Sequence, residues 1–173
     1  MPATTNLSRI GGHVRAAIVR GGIVAGTVDV AAAVTIFHVG PLKVLQSIAG
    51  GLLGKSAYQG GVPVALLGLL LQWAMGMIIA AIFVLAARRL PTLIRHWAFW
   101  GATYGLMIFV VMNYLVVPLS AAGNGLLPHF SAEMLIANLL AMIVYGCIVA
   151  WFARRHAPID KAVIGSLANP IKA

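Results

Sequence analysis

Apolar positions in this chain come in long runs and not in alternation. Residues 21–39, 62–87, 97–117 and 134–153 contain no Lys or Arg and are filled mostly with Leu, Ile, Val and Ala. Crossing a hydrocarbon core of about 30 Å takes about 20 helical residues. No run shows the period of two expected of a barrel strand. The pattern predicts an all-α integral membrane bundle of four transmembrane helices spanning residues 21–153. Residues 1–20 then form a cytoplasmic N-terminal segment and residues 154–173 a short cytoplasmic tail.

The stretch between the first two runs is patterned differently. Leu42, Leu45, Ile48, Leu52 and Leu53 recur at helical spacing opposite Lys43, Gln46 and Ser47, just after Pro41. This describes a short amphipathic helix between helices one and two, lying in the outer interface with Lys55 snorkelling to water. A re-entrant hairpin turning at Gly50, Gly51 and Gly54 is the alternative. The second outer loop, residues 118–130, holds Gly123, Asn124, Gly125 and Pro128 and reads as turns. Ser131 then offers an N-cap for helix four, and Glu133 suits the positive end of its dipole.

Composition agrees with lipid as the solvent: 61% of the 173 residues are hydrophobic and 9% charged. The net charge of +9 does not point to nucleic acid, because the cations flank the apolar runs and form no stripe on a polar domain. Their placement gives the orientation. Arg9, Arg15, Arg20, Arg88, Arg89, Arg95, Arg154, Arg155, Lys161 and Lys172 fall on one side, against Lys43 and Lys55 on the other. Ten against two places both termini in the cytoplasm. Trp97, Trp100 and Trp151 sit near cytoplasmic ends, whereas Trp73 lies in the body of helix two. Asp29 interrupts the apolar stretch that a cleaved secretory signal would need, so no cleavage is expected.

Asp29 is the only acidic residue inside any of the four runs. A carboxyl near the middle of a spanning helix costs roughly 2.5 to 3.5 kcal/mol on insertion scales, which makes it a candidate site in its own right. Arg20 to Asp29, Arg95 to Tyr104 and Arg154 to Tyr145 are each nine residues apart. At 1.5 Å per residue all three side chains lie about 13 Å in from the cytoplasmic arginines, so a carboxyl and two phenols can meet. His38, Gln72, Asn113 and Asn138 form a deeper layer. Helical phase separates Asp29 from His38 and Tyr104 from Asn113. Asp29, Gln72, Asn138, Tyr145 and then Tyr104 are the residues expected to point inward, for interhelical hydrogen bonding or for a proton or cation site.

Gly22 with Gly26 and Gly101 with Gly105 form G-x-x-x-G pairs, expected to bring helices one and three into close contact. Each half also returns through a helix ending in Ala-Arg-Arg, at 87–89 and 153–155, a faint sign of a parallel repeat.

No cofactor or metal site is expected. The five histidines fall at helix ends or flanks, and Cys147 is the single cysteine, which leaves neither a disulfide nor a multi-cysteine zinc site. The segment 49–56, AGGLLGKS, imitates a phosphate-binding loop, but no strand precedes it. Asn6-Leu7-Ser8 matches a glycosylation acceptor on the wrong side of the membrane. A catalytic set is not visible either, since Cys147 has no histidine near it in the sequence pattern and Ser47 and Ser56 have no carboxylate partner.

Gly26-Thr27-x-Asp29, the segment 44–54 (VLQSIAGGLLG), and Met112-Asn113 followed by Pro118-Leu119-Ser120-Ala121 resemble a family of small bacterial membrane proteins with four helices and no assigned activity. The resemblance spans residues 21–151 and implies a bacterial inner membrane. The expected role is a structural or accessory membrane component, whose partners are the lipid bilayer and a second copy or another membrane protein. A small proton- or cation-coupled transporter or channel subunit using Asp29 is the alternative, and a membrane enzyme acting on lipid is the third reading.

Overall fold

The computed structural model describes residues 3–121 and 131–156, and no strand occurs among them. Residues 122–130, with His129, and residues 157–173 lie outside the described residues. The elements are α1 (Ala3–Phe37), α2 (Pro41–Leu53), a 3-10 turn (Gly54–Gln59), α3 (Gly61–Arg89), α4 (Thr92–Arg95), α5 (Trp97–Val111), α6 (Val117–Leu119) and α7 (Ala132–His156). A π-helical stretch, Met112–Val116, joins α5 to α6. Four helical segments are long and apolar enough to cross a membrane: Gly12–Phe37, Gly61–Arg89, Trp97–Leu119 and Ala132–His156. The four-helix architecture expected from the apolar runs is therefore the one observed, with the shorter helix α2 between the first two spans.

Local chemistry explains the boundaries. Ser131 caps α7, its Oγ accepting from the Met134 N–H at 3.3 Å. Gly54 and Gly61, at φ 65° and 57°, turn the chain at either end of the 3-10 segment, where a side chain would be strained. His38 takes the same left-handed region, at φ 52°, and ends α1 without a glycine. The π-helical stretch immediately precedes Pro118, which has no N–H to give to the preceding turn, so the helical register widens there.

The spans pack in the order α3, α1, α7, α5, the most extensive contacts being α5 with α7, α1 with α7, and α1 with α3. The buried core is built largely from small residues, with Ala17, Ala25, Ala80, Ala87, Ala150 and Ala153 around Phe83, Ile108, Tyr145 and Val149. Small side chains let helix backbones approach, and in lipid that packing supplies much of the association energy. Arg154 lies over the Trp97 ring at 5.8 Å and Arg155 over Trp151 at 4.9 Å, so α5 begins where α7 ends.

The glycine pairs do not join helices one and three. A Cβ at Gly22 would stand 2.6 Å from the Met77 Cα on α3, and one at Gly26 would stand 3.4 Å from the Gln72 carbonyl oxygen. On α5, a Cβ at Gly101 would lie 2.9 Å from the Cys147 Cα, and one at Gly105 would lie 2.7 Å from the Ile143 Cα. Span one thus meets span two, and span three meets span four. The reason is complementarity: Gly76 on α3 and Gly146 on α7 supply the facing small residues.

The amphipathic segment also differs in its face. Val44, Gln46, Ala49 and Gly50 are buried, whereas Leu42, Leu52 and Leu53 are exposed. Gln46, expected on the polar side, donates its Nε2 hydrogen to the Gly61 carbonyl at 3.0 Å. Gly68 of α3 lies directly against the Leu45 backbone, and the Ala121 N–H donates to Gly51 O at 3.0 Å. Thus α2 presents its small residues to the bundle, bridges α3 and the end of α6, and turns its large leucines outward.

Candidate functional site

Asp29 sits on α1 one turn beyond Gly26, with its side chain half-buried against α3. Gly22, one turn before Gly26, is the position that keeps α3 this close, and Gln72 reaches across beside it. Gln72 Nε2 donates to Asp29 Oδ2 at 2.8 Å and to the Gly26 carbonyl at 3.2 Å. Both amide hydrogens are used, and the two spans are clamped at one level. One residue along each helix, the Trp73 indole N–H donates to Thr27 Oγ1 at 3.2 Å, while Thr27 itself donates to the Ile23 carbonyl at 2.8 Å. The tryptophan in the body of helix two therefore has a polar partner at membrane depth, which accounts for its position.

The phenols do not bond to the carboxyl directly. Tyr104 donates its hydroxyl to the Ile79 carbonyl at 2.8 Å and packs its ring on Phe83 at a centroid distance of 5.1 Å. It thereby links α5 to α3. Tyr145 is 4% exposed and reaches from α7 to the crossing of α1 and α3, where its oxygen lies 3.3 Å from the place a Cβ on Gly76 would take.

Asn138 belongs elsewhere. Its Nδ2 donates to Asn113 Oδ1 at 3.3 Å, and Asn113 Nδ2 donates to the Phe109 carbonyl at 2.9 Å. Asn113 is buried, although phase relative to Tyr104 disfavours it as an inward residue. The two residues face different neighbours: Gly101, Gly105, Phe109 and Asn113 follow a four-residue row toward α7, whereas Tyr104 faces α3. That row is visible in the sequence once the partner helix is known. Of the five candidates, the structure joins Asp29 directly to Gln72, sets Tyr145 one turn of α3 away at Gly76, gives Tyr104 its own contact on α3, and puts Asn138 in a separate α5–α7 pair.

An open groove of about 330 Å³ lies where α1 ends and α7 begins, lined by Thr35, Ile36, His38, Ser131, Glu133, Met134 and Ala137. Its α1 wall is about two turns beyond Asp29, roughly 10 Å along the helix. Among the described residues, no group of three or more His, Cys, Asp or Glu side chains is arranged to hold a metal ion. Cys147 directs its thiol to the Ala98 carbonyl at 3.8 Å, and His156 stacks on Phe152.

Comparison of the chain with models of protein families, with curated proteins and with solved structures finds no match.

Proposed function

We propose that this protein is a structural or accessory component of a bacterial inner membrane, with both termini cytoplasmic, acting through contact with a second copy or another membrane protein. The observation that carries this reading is that the side-chain donors of Gln72, Tyr104 and Asn138 are all taken within the bundle. Gln72 spends both hydrogens on Asp29 and Gly26, Tyr104 is taken by Ile79, and Asn138 by Asn113. These bonds connect spans of the same chain, as polar residues do when they serve as glue between helices. The bacterial inner membrane follows from the family resemblance, and the orientation from the ten-to-two cation distribution.

Reporter fusions after Ala173 and near Asn124 test the topology. The C-terminal fusion should be active only with a cytoplasmic reporter, and the Asn124 fusion only with a periplasmic one. Periplasmic activity at Ala173 would overturn the orientation.

One observation favours the proton- or cation-coupled reading: Asp29 Oδ1 accepts no hydrogen bond from the described residues, so half of the carboxyl is uncommitted. Proteoliposomes loaded with a pH or sodium indicator separate the two. The accessory reading expects flux equal to that of empty liposomes, with Asp29→Asn folding like the parent, because an amide fills the same space and still accepts from Gln72. Flux that Asp29→Asn abolishes would replace the accessory role with transport.

A further inference from the structure

Among the described residues, Tyr145 Oη is the one buried side-chain polar atom with no hydrogen-bond partner. Leaving a hydroxyl unsatisfied in an apolar interior costs about 1–3 kcal/mol, and native structures seldom tolerate it. A phenylalanine would fill the same space without that cost. Tyr145 is also the side chain that α7 inserts into the α1–α3 crossing at Gly76, one turn of α3 from the glutamine that holds the Asp29 carboxyl, whose Oδ1 is uncommitted.

We propose that a single bound water molecule joins Asp29 Oδ1 to the Tyr145 hydroxyl, making Tyr145 the second partner of the intramembrane carboxyl. Gly76 lies one turn of α3 from Gln72, about 6 Å along the axis. The Asp29 side chain leans back toward the α1 N-terminus, which lowers its carboxyl to the level of the Gly26 carbonyl and toward Tyr145. A buried water needs two to four polar partners. Here it accepts from the Tyr145 O–H, donates to Asp29 Oδ1, and has the second lone pair of the Gly22 or Gly26 carbonyl for its other hydrogen. The bridge would tie α7 to the α1–α3 pair and give Asp29 hydration at a depth where lipid offers none, whatever the protein's partner.

Water-edited solid-state NMR of tyrosine-labelled protein in liposomes tests this directly, with the probe being bulk water itself. Tyr145, assigned by the signal lost in Tyr145→Phe, should receive polarisation from water at short mixing times although it is 4% exposed. Absence of that transfer, with exposed Tyr58 showing it, would overturn the bridge. In thermal unfolding, Tyr145→Phe should lower the melting temperature by about 2–4 °C, the shift expected for loss of one such contact in a chain of this size. The shift should vanish when Asp29 is already alanine. An unchanged or raised melting temperature would mean that Tyr145 is a true orphan. Stabilisation by sodium and not by choline, lost in Asp29→Ala, would assign the place to a cation and overturn the water.

Discussion

Alanine at Gly146 is expected to break the α5–α7 seam. Its Cβ would stand 2.8 Å from the Gly105 Cα and closer still to the Gly101 carbonyl oxygen, and both obstacles are backbone. A flexible side chain can step aside, but two helix backbones can only move apart. Overpacking ordinarily costs about 1–3 kcal/mol, and this geometry belongs at the upper end or beyond it. Helix propensity works the other way, since Gly to Ala gains up to about 1 kcal/mol, which leaves a net loss of about 2 kcal/mol or more. Gly26→Ala supplies the control. There the nearest neighbours are at ordinary contact distances, so the propensity gain is unopposed and the variant should match the parent or exceed it by up to about 1 kcal/mol. Gly26→Leu, with three more carbons against Gln72 and Trp73, should again destabilise. Thermal unfolding in one detergent ranks the three. Equal stability of Gly146→Ala and Gly26→Ala would contradict the seam.

Gln72→Leu should be more harmful than Asp29→Leu, although both remove the same hydrogen bond. Losing Gln72 leaves a carboxyl at membrane depth without its direct donor, with an exposure cost of roughly 2.5 to 3.5 kcal/mol. Losing Asp29 leaves Gln72 with the Gly26 carbonyl as acceptor, so the stranded group is half-satisfied and uncharged. The asymmetry is that of any buried polar pair: removing one partner costs more than replacing both. The double variant Asp29→Leu/Gln72→Leu should therefore recover most of what Gln72→Leu loses. Unfolding of all three variants and the parent in lipid nanodiscs completes the cycle. A double variant no better than Gln72→Leu would show that Asp29 and Gln72 are not each other's principal partners.

The spans were legible because a lipid-crossing helix needs only length and apolarity, and both are written in consecutive residues. The apolar run begins at residue 134, and the cap read at Ser131 is where α7 starts, at Ala132. Depth was legible to within a turn: counting from the arginines put Asp29 and Tyr145 at one level, and the structure sets the Tyr145 hydroxyl at Gly76, one turn of α3 from the Gln72 that holds Asp29. Azimuth was not. A G-x-x-x-G pair says that one face of a helix is thin without naming the helix that lies on it, so Gly22 and Gly101 were given to each other when Gly76 and Gly146 hold them. The same gap hid Asn113, whose burial depends on α5 having different neighbours on two faces. Gln46 misled for a related reason. On an amphipathic helix the larger apolar side chains mark the side turned to the bundle only if water is opposite; here Ala49 and Gly50 seat the helix and the leucines are left for lipid.

The position of α7 in the packing order has a consequence for how the protein is made. It lies between α1 and α5, which have no extensive contact with each other among the described residues. The first two spans, with α2, can settle as a hairpin while synthesis continues, since Gly22, Gly26, Gln72 and Gln46 make their contacts inside it. The third span then has its thin face, Gly101 and Gly105, open to the bilayer. Only when the fourth span leaves the insertion machinery does α5 gain its neighbour and Tyr145 reach the α1–α3 crossing. Until then the third span is held to the hairpin only through Tyr104 on the Ile79 carbonyl and the Phe83 ring, and a quality-control protease that samples loosely held helices would have its opening during that interval.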